Sequence, residues 1–189
     1  RTIMTRDGTD IEAIIMLLRR YEMNIPLGVE VTESDPTAML TQAHHLYEMY
    51  GRGYPELCVK VPIGWDELQV VRYLRRDNIK VDVTACMSYN QAIMAANAGA
   101  TYVSLLWGRI RDTGQNAATV VAQVDATYDR WDCPTEIIVG SIRQMIDVNE
   151  AMQAGADIVT VPAQFLPLLC KHPKTDETVA QFLRDAGGL

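Results

Sequence analysis

Short apolar segments alternate with amphipathic segments along most of this chain. The first amphipathic segment opens with a Thr-Asp-Ile-Glu sequence at residues 9–12, which is typical of a helix N-terminus, and apolar residues recur at helical spacing up to Tyr21. The next segment, Leu27–Val31, is short and mostly apolar, which predicts a strand. Pro36 suits the first turn of a second helix, and the pattern predicts that this helix ends near Tyr50.

The same couple of a strand followed by a helix recurs to the end of the chain. Strands that are always separated by a helix pair in parallel through right-handed crossovers, so the fold class is predicted to be α/β. The further predicted pairs are Leu57–Val61 with Trp65–Asp77, Val81–Cys86 with Ser88–Ala98, Tyr102–Leu106 with Asn116–Tyr128, Glu136–Gly140 with Met145–Ala154, and Ile158–Val161 with Gln164–Leu169.

Two stretches of sequence are similar to each other, and this repetition favours a barrel. Asn97–Val103 resembles Gln153–Val159, and each is predicted to end a helix at a glycine and to begin a strand. Near-equal units favour a closed barrel, although they also build open doubly wound sheets. A TIM (β/α)₈ barrel usually needs at least roughly 200 residues, whereas this chain has 189 and begins at Arg1. Our hypothesis is a TIM barrel whose first two strands precede Arg1.

Composition and charge narrow the range of partners. No linker or low-complexity tract divides residues 1–189, which predicts a single barrel domain. Seventeen Lys and Arg against 24 Asp and Glu give a net charge of -7, which argues against a nucleic-acid partner and means that an anionic ligand is held locally. The absence of a long apolar span or a secretory leader predicts a soluble, cytoplasmic protein without a membrane partner.

Cysteine spacing and glycine motifs predict neither a metal site nor a nucleotide cofactor. The chain's 4 cysteines form no C-x-x-C pair and have no histidine at ligand spacing, so neither a zinc site nor a disulfide framework is predicted. No glycine-rich phosphate loop occurs either, which gives a nucleotide cofactor no support.

The second predicted strand carries a lysine between apolar residues. If the apolar side chains at positions 57, 59 and 61 face the helices, Cys58 and Lys60 point into the barrel. Burial favours the neutral amine, which is the nucleophilic form, so an inward lysine is a Schiff-base candidate. The alternative is a lysine that pairs with an inward carboxylate or reaches the rim.

The same alternation sends further polar residues inward from neighbouring strands, namely Glu30, Asp82 and Thr84. Such burial is costly unless these groups bond to one another or to a ligand. Glu30 or Asp82 is suited to moving protons through a water molecule that Thr84 holds. A purely structural ion pair of Lys60 with Glu30 or Asp82 stays open as the alternative.

Polar residues also follow two later strands. Ser104 alternates inward on its strand, Arg109 follows the end of that strand, and Ser141 and Arg143 follow the next one. Two arginines and a serine at the C-terminal ends of adjacent strands match the rim where barrel enzymes bind substrate phosphate. The alternative for each arginine is a solvated surface charge.

Four segments together resemble the small transaldolase family, which includes fructose 6-phosphate aldolase. They are Val59–Pro62, Val103–Arg109, Gly140–Arg143 and Lys171–Glu177. The resemblance implies a (β/α)₈ barrel enzyme of the pentose phosphate pathway that works without a cofactor. It further implies transfer of a dihydroxyacetone unit, through a Schiff base, from a ketose phosphate such as fructose 6-phosphate to an aldose phosphate such as erythrose 4-phosphate.

The resemblance extends to individual site residues. Lys60 matches the Schiff-base lysine, Glu30 and Thr84 match the pair that positions the catalytic water, and Ser104 matches a hydroxyl that binds the donor. The family's phosphate pocket is matched by Arg109, Ser141 and Arg143.

This sequence also departs from the family. The family's first strand carries a catalytic aspartate and its second an asparagine, and both would stand before Arg1. Asp82 stands where transaldolases show asparagine, which adds an anion among the substrate-binding residues. Glu30 favours transfer, since similar aldolases carry an amide there. The alternatives are an aldolase that releases dihydroxyacetone and a non-catalytic sugar-phosphate-binding barrel, and family members imply a homo-oligomer.

Overall fold

A computed structural model describes residues 10–23 and 25–187 of the chain. They form a six-stranded parallel sheet in which each strand pairs with its neighbours in sequence. The sheet curls into part of a barrel, so the predicted α/β class and barrel architecture are confirmed. The strands are β1 (Leu27–Glu30), β2 (Leu57–Pro62), β3 (Lys80–Cys86), β4 (Tyr102–Leu106), β5 (Glu136–Gly140) and β6 (Ile158–Val159).

Helices connect the strands and cover the convex face of the sheet. The helices lie within the described residues. The hypothesis of two strands before Arg1 concerns residues outside this chain and stays a prediction. The helices are α1 (Ile11–Arg20), α2 (Pro36–Tyr50), α3 (Glu67–Arg76), α4 (Tyr89–Ala98), α5 (Trp107–Asp112), α6 (Ala117–Trp131), α7 (Met145–Gln153) and α8 (Pro173–Gly187).

The main apolar core lies between the sheet and these helices. Alternate strand residues such as Val59, Val81 and Val103 are fully buried there against helix residues such as Leu74 and Val121. Burying one such side chain contributes about 1.5–3 kcal/mol. The alternation leaves the intervening side chains of the same strands on the concave face.

Helix ends follow local chemistry. Asp10 caps α1 by accepting a hydrogen bond from the backbone N–H of Glu12, while Thr9 lies outside the described residues. The glycines of the two echoing segments, Gly99 and Gly155, have φ of 94° and 100° and follow α4 and α7. This left-handed conformation is the one that glycine adopts at helix ends, as the sequence predicted.

The predicted last strand and helix differ from the structure, and two helices were not predicted. The last strand ends at Val159 instead of Val161, and the segment after it is a 3₁₀ helix, Ala163–Cys170, because Pro167 lacks the N–H that a regular helix needs there. Arg109 lies in α5, a short helix that the sequence pattern did not predict. The helix α8 was not predicted either.

The described part of the chain contains no helix with both the length and the apolar character needed to cross a bilayer.

Candidate active site

Three neighbouring strands place a glutamate, a lysine and an aspartate side by side. Glu30 of β1 is in register with Lys60 of β2, which is in register with Asp82 of β3. All three alternate with valines that face the helices, so they belong to the concave face. The Lys60 side chain is 29% exposed, which leaves its amine open to a ligand in the concavity.

Gly28 makes room for the lysine. A Cβ atom at this position would lie 2.9 Å from Cδ and 3.2 Å from Cγ of Lys60. The sequence analysis did not identify this residue, although a glycine inside a strand commonly marks a close approach. The Lys60 side chain can therefore pass over β1 only because position 28 is a glycine.

Asp82 is the centre of the polar contacts on this face. Its side chain is 5% exposed, and Oδ2 lies 3.4 Å from Nζ of Lys60. The hydroxyl of Ser104 on β4 donates to the same carboxylate, at 2.8 Å from Oδ1 and 2.9 Å from Oδ2. The structure thus joins Lys60, Asp82 and Ser104, whereas the side chain of Glu30 is exposed and forms no ion pair with Lys60.

Thr84 lies next along β3, on the same face and buried. Directly after it the pairing of β3 with β4 slips between Val83 and Cys86, and Ala85 has a φ of 60°. This bulge turns Cys86 into the core under the helices, where strict alternation would have kept it on the concave face. The bulge therefore ends the row of inward polar side chains at Thr84.

Three ionisable groups near Asp82 are kept neutral. Burial, reinforced by the Asp82 charge, raises the pKa of Cys58 well above its ordinary value and that of Cys86 to about 12. Burial, together with the nearby Glu136 charge, raises the pKa of Tyr102 to about 12. At pH 7 these side chains carry no charge, so they neither neutralise Asp82 nor repel it.

The predicted phosphate residues lie where β4 and β5 end. The guanidinium of Arg143 donates two hydrogen bonds to Asp112 of α5, each 2.6 Å long. These bonds, aided by the charges of Arg143 and Arg109, lower the pKa of Asp112. Arg109 is exposed on the same short helix. A carboxylate thus occupies the anion-binding edge of Arg143.

Hydrogen bonds fix the conformation of the turn after β5. Ser141 has a φ of 60°, and its carbonyl accepts a hydrogen bond of 3.1 Å from the backbone N–H of Gly108. Buried Asp147 accepts from the backbone N–H of Arg143 at 3.1 Å and from Nη1 of Arg111 at 2.6 Å. Sequence analysis missed Asp147 and Asp112, because neither belongs to a strand or a recognisable motif.

Gly108 is required for the same turn. A Cβ atom there would lie 2.6 Å from Nε of Arg143 and 2.7 Å from the carbonyl oxygen of Ser141. Close backbone approach therefore places Arg143 against the start of α5. The two arginines predicted for phosphate binding follow adjacent strands, as their positions in the sequence indicated.

A primary amine beside a carboxylate, on the concave face of a curled parallel sheet, has the groups needed for carbonyl chemistry. The amine is a nucleophile toward ketones, and the carboxylate accepts and returns protons. Active sites of parallel barrels lie at the C-terminal ends of the strands, which is also where Arg109, Ser141 and Arg143 follow β4 and β5.

Comparison with solved structures supports the fold. A mandelate oxidase variant with 2-hydroxy-phenylacetamide matches with a TM-score of 0.52 and 16% sequence identity, over 70% of this chain and 47% of the other. At this identity the match concerns architecture alone.

Comparison with known sequences places the chain more closely. A probable transaldolase of Carboxydothermus hydrogenoformans is 34% identical over 184 residues, which cover 97% of this chain and 84% of that protein. A probable transaldolase of Brucella anthropi is 38% identical over 160 residues, which cover 85% and 72% respectively. Residues 1–187 match the family described as Transaldolase/Fructose-6-phosphate aldolase. With the curled parallel sheet and its inward lysine, these matches show that the chain belongs to the transaldolase/fructose-6-phosphate aldolase family of enzymes.

Proposed function

We propose that this enzyme is a transaldolase of the pentose phosphate pathway. It transfers a dihydroxyacetone unit from a ketose phosphate, fructose 6-phosphate, to an aldose phosphate through a Schiff base on Lys60. The observation that carries the proposal is the partly exposed Lys60 side chain on the concave face, whose amine lies 3.4 Å from a buried carboxylate. An amine in this setting is suited to attack a carbonyl in the concavity.

The reaction proceeds through an imine. The neutral Lys60 amine adds to the ketone of the donor, and loss of water leaves a protonated imine. Cleavage of the adjacent carbon-carbon bond releases an aldehyde. The electron pair of that bond stays on the donor fragment, because the protonated imine accepts it and becomes an enamine. The enamine carbon then attacks the aldehyde of the acceptor, and hydrolysis frees the lysine. The water molecule that Glu30 and Thr84 position takes the hydroxyl proton of the carbon that becomes the aldehyde, and it returns a proton to the new hydroxyl after attack on the acceptor.

Substrate phosphate is proposed to bind Arg143, Arg109 and Ser141. The planar guanidinium of Arg143 already holds two carboxylate oxygens of Asp112 in a bidentate arrangement. Phosphate oxygens suit the same arrangement. A phosphate group that binds there replaces Asp112 on Arg143.

The first test is borohydride trapping with fructose 6-phosphate, followed by peptide mapping. We expect a reduced adduct on Lys60 and none in Lys60→Ala. Lys80→Ala is the matched control, because Lys80 is also a strand lysine in an ion pair, 2.6 Å from Glu56, and should leave the adduct unchanged. Persistence of full activity in Lys60→Ala would overturn the Schiff-base proposal. Absence of an adduct and of turnover in the folded parent protein would favour a non-catalytic sugar-phosphate-binding barrel.

A second measurement separates transfer from simple cleavage. The carboxylate at Glu30 is the feature that favours transfer. We expect release of glyceraldehyde 3-phosphate from fructose 6-phosphate to depend on added erythrose 4-phosphate. Equal release without the acceptor, accompanied by free dihydroxyacetone, would identify an aldolase.

A further inference from the structure

Asp82 contacts the proposed nucleophile directly. It is in register with Lys60 on the adjacent strand, and its Oδ2 lies 3.4 Å from Nζ. The hydroxyl of Ser104 donates toward both carboxylate oxygens and orients them. The carboxylate is therefore held beside the amine from two strands at once.

Among residues 10–23 and 25–187, Lys60 is the charged side chain that forms an ion pair with Asp82. Cys58, Cys86 and Tyr102 lie near it but are neutral at pH 7, because burial raises the pKa of each. Lys80, two residues earlier on the same strand, lies 2.6 Å from Glu56 and is paired there. Within the described part of the chain, the Lys60 amine is thus the cation that Asp82 meets at close range, beside the neutral hydroxyl of Ser104.

Glu30 is less well placed for the same proton. It flanks Lys60 on the other side, but its side chain is exposed to solvent and makes no ion pair with the lysine. An exposed carboxylate exchanges protons with water, whereas a buried one passes a proton to the group that it contacts.

We propose that Asp82 is a catalytic residue that takes a proton from Lys60 and returns it to the departing hydroxyl during imine formation. This inference rests on the proposed Schiff-base function. The Lys60 ammonium gives one proton to Asp82, and the free amine bonds to the ketone carbon. One proton then moves from nitrogen to the former carbonyl oxygen, which gives a neutral carbinolamine. Protonated Asp82 donates its proton to the carbinolamine hydroxyl, the carbon-oxygen bond breaks and water leaves, so that a protonated imine faces the Asp82 carboxylate again.

The test isolates imine formation from phosphate binding and from carbon-carbon cleavage. Dihydroxyacetone serves as the ketone, cyanoborohydride traps the imine, and the rate of adduct formation on Lys60 is followed by mass spectrometry. In Asp82→Asn, which keeps the size of the side chain and its contact with Ser104, we expect trapping at pH 7 to slow by about 10²-fold.

An unchanged or faster rate of trapping in Asp82→Asn would overturn the proposal. If Asp82 only stabilises the ammonium form of Lys60, its removal frees the amine, and Asp82→Asn should trap dihydroxyacetone as fast as the parent protein or faster. Glu56→Gln is the matched control, since it removes the carboxylate that pairs with Lys80 of β3 and should not alter trapping.

A second variant tests the proposal independently of whether Asp82→Asn folds. Asp82→Ser leaves space for a small carboxylate, and we expect added formate, but not chloride at the same concentration, to restore trapping. Absence of rescue in a folded Asp82→Ser protein would overturn the proton-transfer role. A parent protein that traps no ketone on Lys60 would instead refute the proposed function itself, which keeps the two failures distinct.

Discussion

At the scale of single residues, Asp112 holds the guanidinium of Arg143, which we propose as a phosphate ligand, in a fixed orientation. The two groups are about half exposed and make paired hydrogen bonds of 2.6 Å. An exposed ion pair contributes little to stability. Its main effect here is to orient the guanidinium and to compete with any phosphate that approaches it.

Removing this internal competitor should favour phosphorylated substrates. In Asp112→Asn we expect the KM for fructose 6-phosphate to fall by about twofold, since an exposed ion pair of this kind is weak and competes only modestly with phosphate. Trapping of unphosphorylated dihydroxyacetone should not change. Steady-state kinetics at constant ionic strength measure the effect.

The control for this prediction is Asp132→Asn. Asp132 ends α6 with a φ of 49°, a conformation that asparagine also adopts, and it lies before β5 at the other end of the sheet. A rise in KM in Asp112→Asn, with no change in Asp132→Asn, would mean that Asp112 orients Arg143 more than it competes with phosphate.

At the scale of elements, the bulge in β3 determines which groups belong to the site. It leaves Thr84 inward and moves Cys86 into the core beneath the helices. Burial, followed by the effect of the Asp82 charge, raises the pKa of this thiol from 9.0 to about 12. The thiol consequently links the packing of β3 to pH.

This linkage predicts a loss of stability in alkali. Below pH 9 the Cys86 thiol is neutral in the folded and unfolded chains, so its contribution to stability is fully present. Between pH 9 and about 12 the unfolded chain loses the proton and the folded chain keeps it, so the contribution is lost as pH rises. From pH 8 to pH 10 the cost is about 1 kcal/mol.

Denaturant unfolding at pH 8 and pH 10 checks the prediction. The free energy of unfolding should fall less steeply with pH in Cys86→Val than in the parent protein. Cys170→Ala, at an exposed cysteine, should keep the parent's slope. Equal slopes for the parent and Cys86→Val would show that the thiol ionises equally in both states.

At the scale of the whole molecule, α8 lies outside the apolar core. Its residues Val179, Phe182 and Leu183 are 49%, 65% and 69% exposed. A groove between α3 and α4 is also exposed, and it combines aromatic residues such as Trp65 with Arg72. Exposed apolar side chains on one helix and in a groove elsewhere on the surface are typical of surfaces that pack against a partner.

We accordingly expect a homo-oligomer. Sedimentation at micromolar concentration should show a mass above that of the 21.1 kDa chain. Phe182→Asp should lower that mass, because it places a charge in the apolar face of α8, whereas Gln181→Asp on the same helix should not. A parent protein that sediments as a monomer would contradict the expectation.

Much of the site was predictable because strand alternation is a local property. Val59 and Val61 mark the face toward the helices, so Lys60 between them must face the concavity. The same reasoning placed Asp82 and Ser104, and the order of strands placed Arg109 and Arg143 near the ends of adjacent strands. The family resemblance rested on these same segments.

What the sequence by itself determined is therefore the α/β class, the family and the identity of the inward polar residues, since each follows from neighbours along the chain. Tertiary structure alone decided that Lys60 pairs with Asp82 and not with Glu30, and that Asp112 occupies Arg143. It also revealed that Gly28 leaves space for the lysine. These outcomes depend on distances between strands, on the bulge and on a helix that no local pattern encodes, and distance decides which of several possible charged partners meet.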